Sequence, residues 1–302
     1  MRIRRWPAGL AFLSLVCPFL PSAGPDAIGV QSVHAQARRG RGKPVRYKVI
    51  EVTDGGTIEG NVIWKADLPD EVKLKVPVPA AQQDHCAGPE IGLGCLQVDE
   101  KTRGVAYAVV SLEGITQGKA LPERDIDFMT GKKATLDQVK CQYVPRVMVV
   151  RRGSTLAITS SDEVLHNVNA RMRLTQLFNL ALPAKGQVID DPARTNVKRT
   201  PGVITLRCNA GHFWMNGAIH VAAHPYYAVT DKQGAFKLTD VPPGEYTLKV
   251  WHENIKPRMS KNPAGKVVDL IYGGPIIQEH KVKVEPNKTV KLDADLSLPP
   301  TK

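Results

Sequence analysis

The chain has 302 residues, 42% hydrophobic and 23% charged, with a formal net charge of +12 at pH 7. That length suffices for one large domain or two ordinary ones. The positive excess is scattered along strand-like segments and forms no aromatic-interleaved patch, which argues against nucleic acid and favours acidic partners or anionic surfaces.

Residues 1–21 read MRIRRWPAGLAFLSLVCPFLP, a basic start followed by an apolar run too short to span a bilayer. Pro7, Pro18 and Pro21 argue against a buried helix there. HAQA at 34–37 supplies an A-x-A cleavage pattern. A cleaved export signal over 1–37 is expected, then a disordered basic arm over 38–45. Cleavage removes Arg2, Arg4, Arg5 and Asp26 and lowers the net charge to +10, three cations and one anion having left +12. No later segment is apolar enough to cross a membrane, so the mature chain is expected to be soluble, in the periplasm or secreted, where disulfides form. Cys86, Cys95, Cys141 and Cys208 survive cleavage. If all four pair, Cys208 is structural; if Cys208 binds a metal, one of the other three is left over.

From 57 onwards the chain is a series of short runs rich in Val, Ile, Thr and Tyr, among them TIEGNVIW, GVAYAVVSL, STLAITS, GVITLRC and YTLKVW. Gly, Pro, Asn and Asp punctuate them at intervals of roughly ten residues, the pattern of an all-β sandwich protein. Helical periodicity is weak throughout, allowing a turn or two near 164–180.

Residues 208–215 read CNAGHFWM. A thiol, an imidazole and a thioether within eight residues at a strand end form an unusual group unless a metal gathers them. LHN at 165–167 offers a second imidazole. Two imidazoles and a thiolate with a long axial thioether suit copper, which cycles between oxidation states preferring different geometries. One copper ion is therefore expected on His166, Cys208 and His212, with Met215 as the weak fourth ligand. A binuclear copper loop needs another cysteine four residues before Cys208, and Ile204 stands there. His85, His220, His224 and His252 are expected to pack or cap rather than ligate.

The 122–225 stretch resembles a cupredoxin: a strand, a turn and His-Asn-Val at 154–170, then the CNAGHFWM loop, then a closing strand at NGAIHVAA. The meander YYAVTDKQGAFKLTDVPPGEYTLKV at 226–250 resembles the second half of the carboxypeptidase regulatory-like, or transthyretin-like, sandwich. Its first half lies far upstream, in GTIEGNVIWKADLP and GVAYAVVSLEGI. The resemblance thus implies a Greek-key cupredoxin-like sandwich over 122–225 inserted into a split sandwich of 46–121 plus 226–298.

Nearly the whole mature chain resembles exported bacterial proteins that couple these two domains, through DHCAG, CQYVPR, LHNVN, LFN, CNAGHFWM and HPYYAVTD. That resemblance implies a Cys86–Cys141 disulfide, with Cys95 free or an alternative partner. It makes Asn167 a residue tying ligand loops together. It also implies a periplasmic electron carrier rather than a substrate-converting enzyme. A redox partner, acidic given the basic chain, would dock on an apolar patch at Phe213 and Trp214. The competing readings are a structural or carbohydrate-facing sandwich with a vestigial or storage site, and a copper oxidoreductase. The chain departs from the family in three places: three residues separate Cys208 from His212 instead of two, and Arg146 and Asn169 stand where the family has histidines.

Overall fold

Alternating side chains become two pairs of sheets. The computed structural model describes residues 46–198, 200–297 and 299. The expected export signal at 1–37 and basic arm at 38–45 lie outside the described residues. The described residues are all-β apart from three short helical turns, Asp70–Lys73, Ala80–Gln82 and Pro192–Thr195. No helix among them is long and apolar enough to cross a membrane.

One sheet runs, in spatial order, Thr175–Leu182, His166–Met172, Gly202–Arg207, Asn216–Ala222 and Val147–Arg151, antiparallel except for the last pair. A second holds Val188–Ile189, Ala157–Thr159, Thr135–Val139 and Gln142–Val144. Leu136, Ile158, Val168, Ile204, Leu206 and Ile219 from both sheets share one buried core. Period-two alternation decides which side chains enter it: His166, Val168 and Ala170 point inward while Asn167 and Asn169 stay partly exposed.

The other pair joins strands far apart in sequence. Val109–Glu113 bonds to both Tyr227–Val229 and Gly244–His252, and the latter continues to Ile276–Val284. Gly56–Ile63 takes Ala235–Val241 on one side and Thr289–Lys291 on the other. Ile58, Val110, Leu112, Leu238, Val250 and Val282 fill the space between these two sheets. The DKQG turn at 231–234 is held by Asp231, whose carboxylate accepts from the N–H groups of Gln233 and Ala235 at 2.9 Å. Gly234 sits at φ +78°, and a Cβ there would lie 2.3 Å from the Val62 carbonyl oxygen. Only glycine permits that turn.

The described residues fall in one compact unit. Val147, Val149, Ala218 and Ala222 from the outer face of the five-stranded sheet pack on Val109, Val229 and Trp251. The Val147–Arg151 strand is thus covered on both faces, which explains its unbroken apolar run VMVV. His220 lies in this layer with its ring edge-on to Trp251, centroids 4.5 Å apart. The buried Arg146 guanidinium bonds to Glu253 (Nε–Oε1 2.5 Å) and Asn216 (2.7 Å). Arg146 therefore joins the first sheet pair to the strand end after His252.

Two segments cross over to the first core. Val76, Val78, Cys86, Ile91 and Leu93, which the sequence assigns to the 46–121 portion, are buried with Leu136 and Leu206. The hairpin Arg258–Lys261/Val267–Ile271 sends Leu270 into the same core. The 164–180 stretch, where the sequence allowed a helical turn, is a β-hairpin instead. Alternate burial of its side chains wins, and Arg173 takes the left-handed conformation (φ +55°) that the tight turn requires.

Candidate metal centre

The Gly202–Arg207 strand ends at the loop 208–215, and local bonds shape that loop. The Cys208 N–H donates to the Met215 carbonyl (3.3 Å) and the Met215 N–H to the His212 carbonyl (2.8 Å). Gly211, at φ +90°, makes the reversal that brings His212 back toward Cys208. The Cys208 Sγ and His212 Nδ1 lie 3.7 Å apart. His166, first residue of its strand, points into the same space, its Nδ1 3.2 Å from that of His212. Ligand atoms of His166, Cys208 and His212 all fall within 4.8 Å of one another, and the three residues are buried. Met215 is buried in the same core.

Two further residues orient the rings. His166 Nε2 bonds to the Asp162 carboxylate at 2.8 Å, and His212 Nε2 to the Gln82 amide oxygen at 3.0 Å. Asp162 also accepts from the backbone N–H groups of Lys140 (2.7 Å) and Cys141 (2.8 Å). Burial alone would raise the Asp162 carboxyl; the His166 bond and the two backbone donors outweigh it and hold the group ionised. With each Nε2 held from outside, each ring turns its Nδ1 toward the other. Ring nitrogens 3.2 Å apart repel unless a cation or a proton lies between them.

The thiol fits the same demand. Burial would raise it, but hydrogen bonds from His166, His212 and the Ala210 N–H overcome that and lower Cys208 to about 6. For His166, burial acts downward, and the bonds to Asp162 and Cys208 carry the group above the ordinary histidine value. The donor set is a cysteine sulfur and two imidazoles gathered within 4.8 Å of one another, a fit for a soft or borderline metal ion.

Around the centre, Asn167 binds the ligand loop from outside. Its amide oxygen accepts from the Asn209 N–H (3.1 Å), and its nitrogen donates to Asn179 (2.7 Å) and the Leu180 carbonyl (3.2 Å). Cys86 and Cys141 form a disulfide whose sulfurs lie within 4.8 Å of a His212 ring nitrogen. Cys95 is a buried free thiol, its Sγ 3.5 Å from the Ile255 carbonyl. Phe213 is partly buried against the core. Trp214 corrects the sequence expectation of a docking patch: it is 2% exposed, and its indole N–H donates inward to the Cys141 carbonyl (3.1 Å). The Trp214 ring therefore offers no surface to a partner.

Sequence reasoning passed over Asp162 and Gln82. The signal for Asp162 was local, a carboxylate four residues before a candidate ligand histidine across a turn. Gln82 stands 130 residues from His212 and carried no signal.

No family model matches this chain, and no curated protein matches it. Among solved structures it is similar to a copper-containing nitrite reductase from Thermus scotoductus SA-01, at 17% identity and a TM-score of 0.24, over 31% of this chain. The chain spans 23% of that reductase's length. It is also similar to a purple cupredoxin from Nitrosopumilus maritimus, at 19% identity and a TM-score of 0.24, over 30% of this chain and all of that one. A mutant plastocyanin of fern shows 17% identity and a TM-score of 0.22, over 30% of this chain and all of its own.

Proposed function

We propose that this chain is an exported, periplasmic copper protein that carries electrons. One copper ion would be held by His166, His212 and Cys208, with the buried Met215 thioether as a weaker soft donor. The observation that carries this reading is the pair of imidazoles held by Asp162 and Gln82, their inner nitrogens 3.2 Å apart beside the Cys208 sulfur. Zinc accepts nitrogen and thiolate donors too, but a thioether is a soft ligand that favours copper(I), and a trigonal set with an axial methionine suits electron transfer. When bound, the ion supplies a one-electron couple. The protein holds the donors in place: strand His166–Met172 fixes one imidazole, and a loop tied by Asn167 fixes the rest.

The strand pairing supports reading 46–121 and 226–298 as one interrupted sandwich and 122–225 as the inserted metal-binding one. In that division residues 74–95 leave their own sandwich to pack on the insert's core.

The test is spectroscopic. Purified mature protein titrated with copper should bind one ion and show a thiolate-to-copper charge-transfer band in the visible range. Cys208→Ser should abolish the band, and Met215→Leu should keep it while raising the reduction potential. A Cys208→Ser variant with an unchanged spectrum would end this assignment.

A further inference from the structure

The direction from which the centre can be reached follows from what covers each ligand. His212 is fully buried, its outer nitrogen taken by Gln82 and its edge overlain by the Cys86–Cys141 disulfide. His166 is fully buried behind Asp162. Trp214 closes the loop from within. Cys208 differs. A surface depression of about 260 Å³ reaches it, with Asn209 and Phe213 on one side and Val268 and Asp269 of the hairpin on the other.

That hairpin is basic and apolar at once. Residues 256–271 carry Lys256, Arg258, Lys261 and Lys266 against Asp269 alone, a net +3. Asp269 is itself tied to Arg207 at 3.0 Å. Met259 and Val268 are 42% and 45% exposed among these cations. A second copy of this chain would bring the same cations to the contact and be repelled, whereas an acidic partner would be attracted.

Resting on the copper reading, we propose that the centre exchanges electrons through the Cys208 depression with an acidic redox protein. Carboxylates of the partner meet Arg258, Lys261 and Lys266, and an apolar side chain enters between Phe213 and Val268. One electron passes between the loaded centre and the partner, which gains what the centre loses, with no bond made or broken. The partner approaches the thiolate side, because Asp162 covers the His166 edge and Gln82 with the Cys86–Cys141 disulfide covers that of His212.

The experiment compares two charge reversals of equal size in copper-loaded, reduced full-length mature protein. Lys261→Glu with Lys266→Glu alters the hairpin; Lys281→Glu with Lys283→Glu alters exposed positions on the Ile276–Val284 strand, which belongs to a different sheet from the strand leading to Cys208. Oxidation at low ionic strength is followed with anionic hexacyanoferrate and with cationic tris(phenanthroline)cobalt. The hairpin variant should react with hexacyanoferrate roughly ten-fold more slowly and with the cobalt complex faster, and added salt should erase both differences. The strand variant should change either rate by less than about two-fold. Polyglutamate should compete with hexacyanoferrate on the unaltered protein and lose that effect on the hairpin variant. Equal slowing by the two variants, or self-association of the unaltered protein through this face in sedimentation, overturns the docking assignment while the copper band stays intact. Absence of the band in the unaltered protein overturns the copper reading, and this inference with it.

Discussion

At the scale of single residues, Gln82 is the side chain that holds His212 from a distant part of the chain. Its amide oxygen fixes which nitrogen of His212 keeps the proton and hence which nitrogen faces Cys208. Gln82→Leu keeps an apolar stem of similar length and leaves a buried N–H with no acceptor. Such a loss costs about 1–3 kcal/mol in stability, and loss of an outer hydrogen bond to a ligand histidine lowers metal affinity roughly 10–100-fold. Competition with a chromophoric copper chelator, alongside a denaturant melt, measures both. Unchanged affinity in a destabilised variant would make Gln82 a packing residue with no hold on the metal. The gathering of Cys208, His212 and His166 was legible because spacing along one loop and one strand start advertises chemistry. Gln82 was not, because a polar side chain acquires that role only when its segment folds across the loop.

At the scale of elements, the 74–95 segment is the unexpected piece. Its Val76, Val78, Ile91 and Leu93 read as ordinary strand residues, and sequence placed them with the sandwich that surrounds them in the chain. They are buried instead against the core that carries His166, Cys208 and His212, and Cys86–Cys141 holds them there across a sequence separation of 55. Closing a loop of that length restricts the unfolded chain by about 4 kcal/mol in the entropic account. Replacing both cysteines with alanine should therefore lower the unfolding free energy by a similar amount and loosen Gln82 from His212. Hydrogen exchange across residues 80–95 should rise well above that of Gly202–Arg207. A segment as protected as before would show that apolar packing alone keeps it closed. Elsewhere the elements follow sequence closely: DKQG makes the turn its residues demand, and VMVV is unbroken because both faces of that strand are covered.

At the scale of the whole molecule, strands from both ends of the chain complete each other. Gly244–His252 lies between Val109–Glu113 and Ile276–Val284, and Gly56–Ile63 between Ala235–Val241 and Thr289–Lys291. A fragment of 226–298 would expose the bonding edge of Gly244–His252 and the inner faces of Leu238, Leu248 and Val250, a condition that promotes aggregation. Expressed alone, it should be insoluble or lack a cooperative melt. A soluble 226–298 fragment with a sharp thermal transition would separate the two strand sets and end the interrupted-sandwich reading.

Sequence alone determined the all-β class, the turn positions and the residues able to bind a metal, because side-chain alternation, backbone preference and donor chemistry are properties of a few neighbouring residues. Tertiary structure decided the rest. It buried Trp214 and paired Arg146 with Glu253, 107 positions away. It also brought Gln82 and Cys86 over one imidazole edge and a basic hairpin beside the thiolate. Each of those contacts joins residues separated by tens to more than a hundred positions, and such contacts form only where burial of a shared core offsets the entropy of closing the loop between them.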